Sequence, residues 1–181
     1  CNILYARDHK VSKEYRPILP KFKGIAKKGF DVISSQFSLH YYFKDEETLR
    51  GYIQNLADNC KKGGHYIGTC YDGMKVFRVL KDKPNHTLEM EVEFGNRVYA
   101  VTQKYDITDF AYTKDNKQDL LGQEIDVYMN SIGQTITEYL VNFDMFVDIM
   151  KEYGFHLESP KLMGRYSGIF DTTAMSYMKG F

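Results

Sequence analysis

The stretch from Phe30 to Gly73 constrains the fold of this chain more than any other part of it. It begins with the apolar, β-branched run FDVIS, continues through the helix-like segment DEETLRGYIQNLADNCKK, and closes with GGHYIGTC. A strand, a helix and a second strand in this order are typical of a parallel β-α-β unit, because parallel strands need a crossover connection. We therefore expect an α/β fold in which Phe30–Ser38 is a buried strand ending in polar and aromatic side chains.

Apolar residues at helical spacing predict the helices. They indicate amphipathic helices over Asp45–Lys61 and Asn142–Tyr153, and a short helix over Gly73–Leu80. Lys61-Lys62-Gly63 is expected to end the first helix, and Gly63-Gly64 to form the turn before the next strand.

Alternation of apolar and polar residues predicts strands. Between Thr87 and Tyr112 this alternation surrounds Gly95-Asn96, which is typical of an antiparallel hairpin. The other predicted strands are Asn2–Ala6, His65–Thr69, Gln123–Met129, Thr135–Leu140 and one that starts at Phe155. Residues 160–181 are weakly patterned.

Composition narrows the functional classes. The chain has 181 residues, enough for one domain, and its 24 basic and 24 acidic residues cancel. A strongly basic nucleic-acid binder is therefore not indicated, although the Lys-rich segment 10–28 is a local basic patch or a solvated face. Three cysteines without CxxC spacing argue against disulfides and a metal site, and fit a reducing compartment. No apolar run approaches the ~20 residues of a membrane span.

Three short segments carry a family resemblance. Gln36–Tyr41 has the sequence QFSLHY, Thr137–Val141 has TEYLV, and Glu152–Phe155 has EYGF. In this order, with GGHYIGT between the first two, they resemble the messenger-RNA cap guanine-N7 methyltransferases. The most similar version is the one fused into the capping enzymes of large DNA viruses.

The resemblance implies a fold and an activity. The fold is a Rossmann-like S-adenosylmethionine-dependent methyltransferase sheet, with antiparallel β-hairpins inserted over 84–141. The activity is methyl transfer from S-adenosylmethionine to N7 of the cap guanine of GpppN-RNA, as one domain of a multifunctional capping enzyme. The implied partner is the capped RNA 5′ end; a stimulatory subunit or other capping-enzyme domains are left open, and neither a metal nor a membrane is implied. A viral member would act in the host cytoplasm or in the virion.

The resemblance also assigns residues. Those assigned to the cap guanine are Phe37, His40, Tyr41 and Glu138. Those assigned to the methyl donor are Asp8 and Gln36. Each guanine residue also has a purely structural reading, as a core aromatic, a strand-end pair or a surface carboxylate.

The chemistry of guanine agrees with these residue types. N1–H and N2–H₂ are parallel donors that a carboxylate such as Glu138 accepts together, and O6 accepts from His40 or Tyr41. An aromatic ring such as Phe37 can pack against a face of the base. N7 carries an in-plane lone pair that needs no deprotonation. Proximity and exclusion of water therefore suffice, and we expect no residue to act as a general base.

One departure from the family pattern leaves alternatives open. No G-x-G-x-G string, which would form the donor-binding loop of such a sheet, occurs in the sequence. We expect 1–181 to cover the carboxyl-terminal two-thirds of a methyltransferase domain, so that the loop is not in the chain. The alternatives are a non-catalytic cap-binding or regulatory module, and a Rossmann-fold methyltransferase that acts on a small molecule.

Overall fold

The computed structural model describes residues 13–18, 21, 24, 26–92 and 96–158. Its helices are α1 (Glu46–Asn59), α2 (Gly73–Lys81) and α3 (Phe143–Glu152), with 3₁₀ helices at Lys13–Ile18, Leu39–Lys44, Pro84–His86 and Gln118–Leu120. Its strands are β1 (Phe30–Gln36), β2 (Cys60–Thr69), β3 (Thr87–Val92), β4 (Asn96–Gln103), β5 (Glu124–Met129) and β6 (Gln134–Tyr139). The predicted strand Asn2–Ala6, the donor residue Asp8 and the segment 160–181 lie outside the described residues.

The elements β1, α1 and β2 form the predicted β-α-β unit. The two strands pair in parallel, with Gln36 opposite Thr69 at their carboxyl ends. Asp45 caps α1, since its Oδ1 accepts the backbone N–H of Thr48 at 2.7 Å. The apolar face of α1, which includes Leu49 and Ile53, is fully buried, and the amphipathic helix predicted there is confirmed.

The boundary between α1 and β2 differs from the prediction. The helix ends at Asn59 rather than at Lys61-Lys62-Gly63, because Cys60 already has an extended backbone and begins β2. Gly63-Gly64 was expected to be a turn but lies within β2, where the pairing with β1 is irregular and Gly63 has a φ of +78°. A Cβ on Gly64 would lie 3.0 Å from the backbone oxygen of Asp31, so the irregular pairing uses the small size of glycine.

The expectation that β1 is buried is wrong for one of its faces. The exposed fraction is 39% for Phe30 and 54% for Val32, whereas Ile33 and Ser35 on the other face are half-buried. The β-branched composition predicts the strand itself. Burial depends instead on what packs above and below it, and within the described residues nothing covers the face that carries Val32.

The predicted hairpins are confirmed, and they join into one antiparallel sheet with the order β3-β4-β5-β6. Leu88 pairs with Val101, Val101 with Val127, and Val127 with Ile136, so these side chains share one face. Glu138 follows Ile136 by two residues and therefore lies on the same face. This face bears much of the core, and β6 packs against the 3₁₀ helix Leu39–Lys44. The fold is thus α/β, with one parallel pair and one antiparallel sheet.

The last described helix is also confirmed. Asn142 caps α3 through its Oδ1, which accepts the backbone N–H of Met145 at 3.1 Å, and its Nδ2 donates to the backbone oxygen of Phe110 at 2.6 Å. The strand expected from Phe155 is wrong, because the N–H of Phe155 turns back to the oxygen of Met150 after Gly154 adopts a φ of +84°. No helix in the described ranges is long and apolar enough to cross a membrane.

Candidate guanine site

The fold brings together residues that the sequence places far apart. His40 lies in the 3₁₀ helix after β1, and Glu138 lies near the end of β6. His40 Nε2 is 3.5 Å from Glu138 Oε1, and the exposed fractions of the two residues are only 2% and 3%. The site therefore sits where the end of the parallel pair meets the antiparallel sheet.

The hydrogen-bonding capacity of this pair is largely unused. Within the described residues, Nδ1 and Nε2 of His40 and Oε2 of Glu138 are buried without a hydrogen-bond partner. Buried polar groups in native proteins are nearly always satisfied, so three unsatisfied atoms in one place need an explanation. A polar ligand that offers donors to the carboxylate and an acceptor to the imidazole would satisfy them.

Burial also shifts the pKa of both side chains. It lowers the pKa of His40 to about 4 and raises the pKa of Glu138 to about 7. The imidazole is therefore neutral at neutral pH, with one ring nitrogen as donor and the other as acceptor. The carboxyl group ionises around neutrality and becomes an acceptor on both oxygens.

Aromatic rings surround the pair. Tyr41 packs its ring edge against His40, with centroids 4.3 Å apart, and remains 43% exposed. Phe37 is 58% exposed, and its ring centroid lies 6.4 Å from that of Tyr71. Phe37 also has a φ of +47°, a left-handed conformation that is strained for a bulky side chain. Two exposed aromatics and a strained backbone are typical of a binding site rather than of a core.

Tyr71 and Tyr99 also lie near the His40–Glu138 pair, and the sequence alone did not indicate them. The Tyr71 ring lies 5.7 Å from the His40 ring. Tyr71 and Tyr99 line the same cleft, and burial together with the nearby charge of Glu138 raises the pKa of both. Tyr71 could have been found, because it lies two residues after the carboxyl end of β2, beside the end of β1. Nothing in the sequence marks Tyr99 among fifteen tyrosines.

A close backbone crossing holds the two halves of the site together. The N–H of Gly73 donates to the backbone oxygen of Val141 at 3.2 Å. A Cβ on Gly73 would lie 2.3 Å from that oxygen, which is far inside van der Waals contact. Only glycine therefore allows the segment carrying Tyr71 to pass this close to the segment that follows Glu138.

The residues assigned to the donor are not tested by the structure. Gln36 lies at the carboxyl end of β1, where its Oε1 accepts from Thr69 Oγ1 at 2.7 Å and its Nε2 donates to Ser34 Oγ at 2.9 Å. Asp8 lies outside the described residues. The third motif segment, Glu152–Phe155, contributes to the packing of the fold, because Glu152 forms ion pairs with Arg50 at 2.7 Å and with Lys117 at 3.2 Å.

Metal and thiol chemistry find no support in the described ranges. They contain no group of three or more His, Cys, Asp or Glu residues arranged to hold a metal ion. Burial raises the pKa of the Cys70 thiol to about 11, and burial likewise raises the pKa of Cys60. Neither thiol is activated as a nucleophile.

These features define an α/β protein with a buried, unsatisfied polar pair beside exposed aromatic rings, at the carboxyl end of its parallel strands. A sequence profile of the mRNA (guanine-N(7))-methyltransferase domain matches residues 6–171. The chain therefore belongs to the mRNA cap guanine-N7 methyltransferase family.

Similar proteins carry the same description. The mRNA cap guanine-N(7) methyltransferase of Candida albicans is 28% identical over 166 residues, which cover 87% of this chain and 32% of the relative. That of Saccharomyces cerevisiae is 33% identical, covering 71% of this chain and 29% of the relative. That of Aspergillus niger is 29% identical, covering 74% and 20%. The chain thus spans a third or less of the length of these relatives.

Proposed function

We propose that this chain takes part in methyl transfer from S-adenosylmethionine to N7 of the guanine at a GpppN-RNA end. Family membership supports the reaction class. The observation that supports guanine as the substrate is the buried pair of Glu138 and His40, whose unsatisfied atoms match the edge of guanine. Adenine presents an acceptor at N1 and would leave the carboxylate unpaired, so the same atoms discriminate against it.

Each residue of the pair has a distinct role. Glu138 accepts N1–H and N2–H₂ of guanine on its two oxygens, which is a charge-assisted and geometrically specific contact. Neutral His40 donates one N–H to O6. Phe37 and Tyr41, both partly exposed, pack against the faces of the ring.

The chain needs no general base for this reaction. Guanine N7 attacks with its own lone pair, and S-adenosylmethionine supplies an already activated methyl group. What the protein adds is orientation of the base and exclusion of water, which can contribute several kcal/mol of the barrier, up to roughly 7–11. Gln36 and Asp8 remain the proposed donor-binding residues.

Glu138→Gln tests the guanine role. The substitution keeps the shape of the side chain but turns one acceptor into a donor that faces N1–H or N2–H₂. We expect kcat/KM for GpppN-RNA to fall by roughly one and a half to four decades, as for a loss of ~2–5 kcal/mol. Glu124→Gln, on an exposed position of β5, is the matched control and should retain wild-type activity. A Glu138→Gln protein with more than about half the wild-type constant would remove Glu138 from the site.

The proposal also covers the larger enzyme to which the chain belongs and the compartment in which it acts. It is a carboxyl-terminal part of a methyltransferase domain within a viral, multifunctional capping enzyme, acting on capped RNA in a reducing intracellular compartment, the host cytoplasm or the virion. What supports this setting is the resemblance to the fused viral members and the fraction of its relatives that the chain spans. The relatives named above are fungal. Whether the chain needs a stimulatory subunit can be tested by a direct assay of methyl transfer with and without that subunit.

A non-catalytic cap-binding module is the second candidate. The lack of a G-x-G-x-G string in the sequence favours it. Methyl transfer from labelled donor to GpppN-RNA, measured with the complete polypeptide, separates the two candidates. Transfer with an intact guanine site supports the enzyme, whereas cap binding without transfer supports the module.

A further inference from the structure

A cleft lies next to the proposed guanine-binding residues His40, Glu138, Phe37 and Tyr41, which together with Tyr71 and Tyr99 form the guanine cluster. The cleft lies between α2 and the strands β3 and β4. Val76 and Val79 of α2 form one wall, and Leu88 and Val101 form the other. Tyr71 and Tyr99 line the same cleft, and its surface is mostly apolar.

The cleft and the guanine cluster share these two tyrosines. Tyr71 borders the cleft and also lies 5.7 Å, ring to ring, from His40. Tyr99 also lines the cleft and lies near enough to Glu138 for the charge of that carboxylate to raise the pKa of the Tyr99 hydroxyl. The cleft therefore adjoins the proposed guanine site through Tyr71.

We propose that this cleft binds the base of the first transcribed nucleotide, the N of GpppN. This inference rests on the proposed function, because it takes guanine to occupy the neighbouring cluster. The bridging triphosphate then passes along Tyr71, from one site to the other.

The chemistry of the cleft fits a base better than a sugar or a phosphate. Flat heterocycles stack on tyrosine rings and pack against valine and leucine, whereas ribose and phosphate need polar partners. Lys75 and Asp72 also line the cleft, so its lining carries one positive and one negative charge. The rest of the lining is aliphatic or tyrosine and offers few groups that could read a base edge, so the cleft should accept any of the four bases. Sequence tolerance of this kind is what stacking without hydrogen-bond readout produces.

The test compares two ligands that differ only by the second nucleoside. GTP has the guanosine and the triphosphate, and GpppA adds adenosine. We expect the complete wild-type polypeptide to bind GpppA at least fivefold more tightly than GTP, with GpppC within about threefold of GpppA. Val79→Phe, which fills the cleft with a ring, should abolish this advantage and leave GTP binding unchanged. Ile132→Phe adds the same ring at the exposed turn between β5 and β6 and should behave as wild type.

The outcomes are separable. Equal binding of GTP and GpppA by the wild type would overturn the subsite, as would a Val79→Phe protein that retains the preference or weakens both ligands equally. If Val79→Phe lowers the melting temperature, Leu88→Phe, which fills the cleft from the opposite wall, is measured in its place. It should likewise abolish the preference for GpppA over GTP. Loss of a stimulatory protein's binding with GpppA binding intact would assign the cleft to a protein partner and also overturn the proposal. Failure of the wild type to bind either ligand would instead contradict the proposed function.

Discussion

At the scale of single residues, the candidate site consists mainly of the His40 imidazole and the Glu138 carboxyl group. Burial disfavours the charged form of each of these groups. His40 and Glu138 face each other with three unsatisfied atoms between them. An apolar pair would be more stable there, since unsatisfied buried groups cost ~1–3 kcal/mol each. The protein tolerates this cost at the place where a ligand could remove it. This is how binding sites commonly trade stability for recognition.

Cap affinity should rise with pH between about 6 and 8. Burial raises the pKa of Glu138 to about 7, and only the carboxylate accepts both guanine donors. Below this pKa the dissociation constant of GpppA should increase by up to tenfold per pH unit. GpppA is the ligand to titrate, because it has no terminal phosphate that would itself change charge.

The dependence can be assigned to Glu138. The other groups around it do not titrate in this range: the pKa of His40 is about 4, and those of Tyr41, Tyr71 and Tyr99 are raised by burial. In Glu138→Gln the affinity should be weak and flat with pH. A slope that persists in this variant would place the titrating group elsewhere.

Folding stability should show the opposite trend. A carboxyl group whose pKa is raised in the folded state binds its proton more tightly there than in the unfolded chain. Its contribution is therefore full at low pH and is lost as pH rises to about 7. Cap binding and stability thus change in opposite directions through the same group.

Phe37→Gly should weaken cap binding without lowering the melting temperature. The side chain is 58% exposed, so little burial is lost, and glycine relieves the strain of a φ of +47°. Left-handed strain of this kind costs ~1–3 kcal/mol, while loss of one stacking ring weakens binding by a similar amount. Phe30→Gly is the matched control: it lies in extended β1 and should lower the melting temperature slightly. A marked destabilisation by Phe37→Gly would mean that Phe37 is a packing residue.

At the scale of elements, the crossing of Gly73 over Val141 sets the distance between α2 and the end of β6. Gly73→Ala would place a methyl group 2.3 Å from a backbone oxygen, and the two segments must separate. We expect a loss of ~1–3 kcal/mol in stability, as in overpacked cores, together with weaker GpppA binding.

A second glycine supplies the control for this prediction. Gly51 lies in the middle of α1, and a Cβ added to it would meet nothing within 4 Å. Gly51→Ala should raise the free energy of unfolding by ~0.5–1 kcal/mol through helix propensity, with cap binding unchanged. Thermal melts and GpppA titrations of both variants are the measurement. A Gly73→Ala protein as stable as the wild type would show that the crossing yields easily.

Elements with local periodicity could be predicted from the sequence. The amphipathic faces of α1 and α3 and the alternation in β3–β6 follow from residues close in the chain. The 3₁₀ helix Leu39–Lys44 and the early start of β2 could not, because they depend on tertiary contacts that override local preference.

The same division applies to the site. His40 and Glu138 were found through motif resemblance, and the structure brings them together at 3.5 Å. Tyr99 was missed because its place beside Glu138 depends on the register of β4 against β5 and β6, which a single sequence does not reveal. Whether these residues bind guanine stays a prediction.

At the scale of the whole molecule, the donor is the critical question. The 181-residue chain has no G-x-G-x-G loop, and we expect it to bind S-adenosylmethionine weakly or not at all. Calorimetric titration of this chain is the measurement, with GpppA as the positive control for a folded guanine site. Binding of the donor at micromolar concentration would show that other residues of the chain form the donor site.

The guanine cluster also lies on the boundary between the two sheets. His40 is carried by the 3₁₀ helix that follows β1 of the parallel pair, whereas Glu138 is carried by the antiparallel sheet, and the Gly73–Val141 crossing lies beside them. A ligand that bonds to both residues therefore cross-links the sheets mechanically. Tension applied between them would have to break the ligand's hydrogen bonds before the sheets part, so the boundary would be stiffer with such a ligand in place than without it.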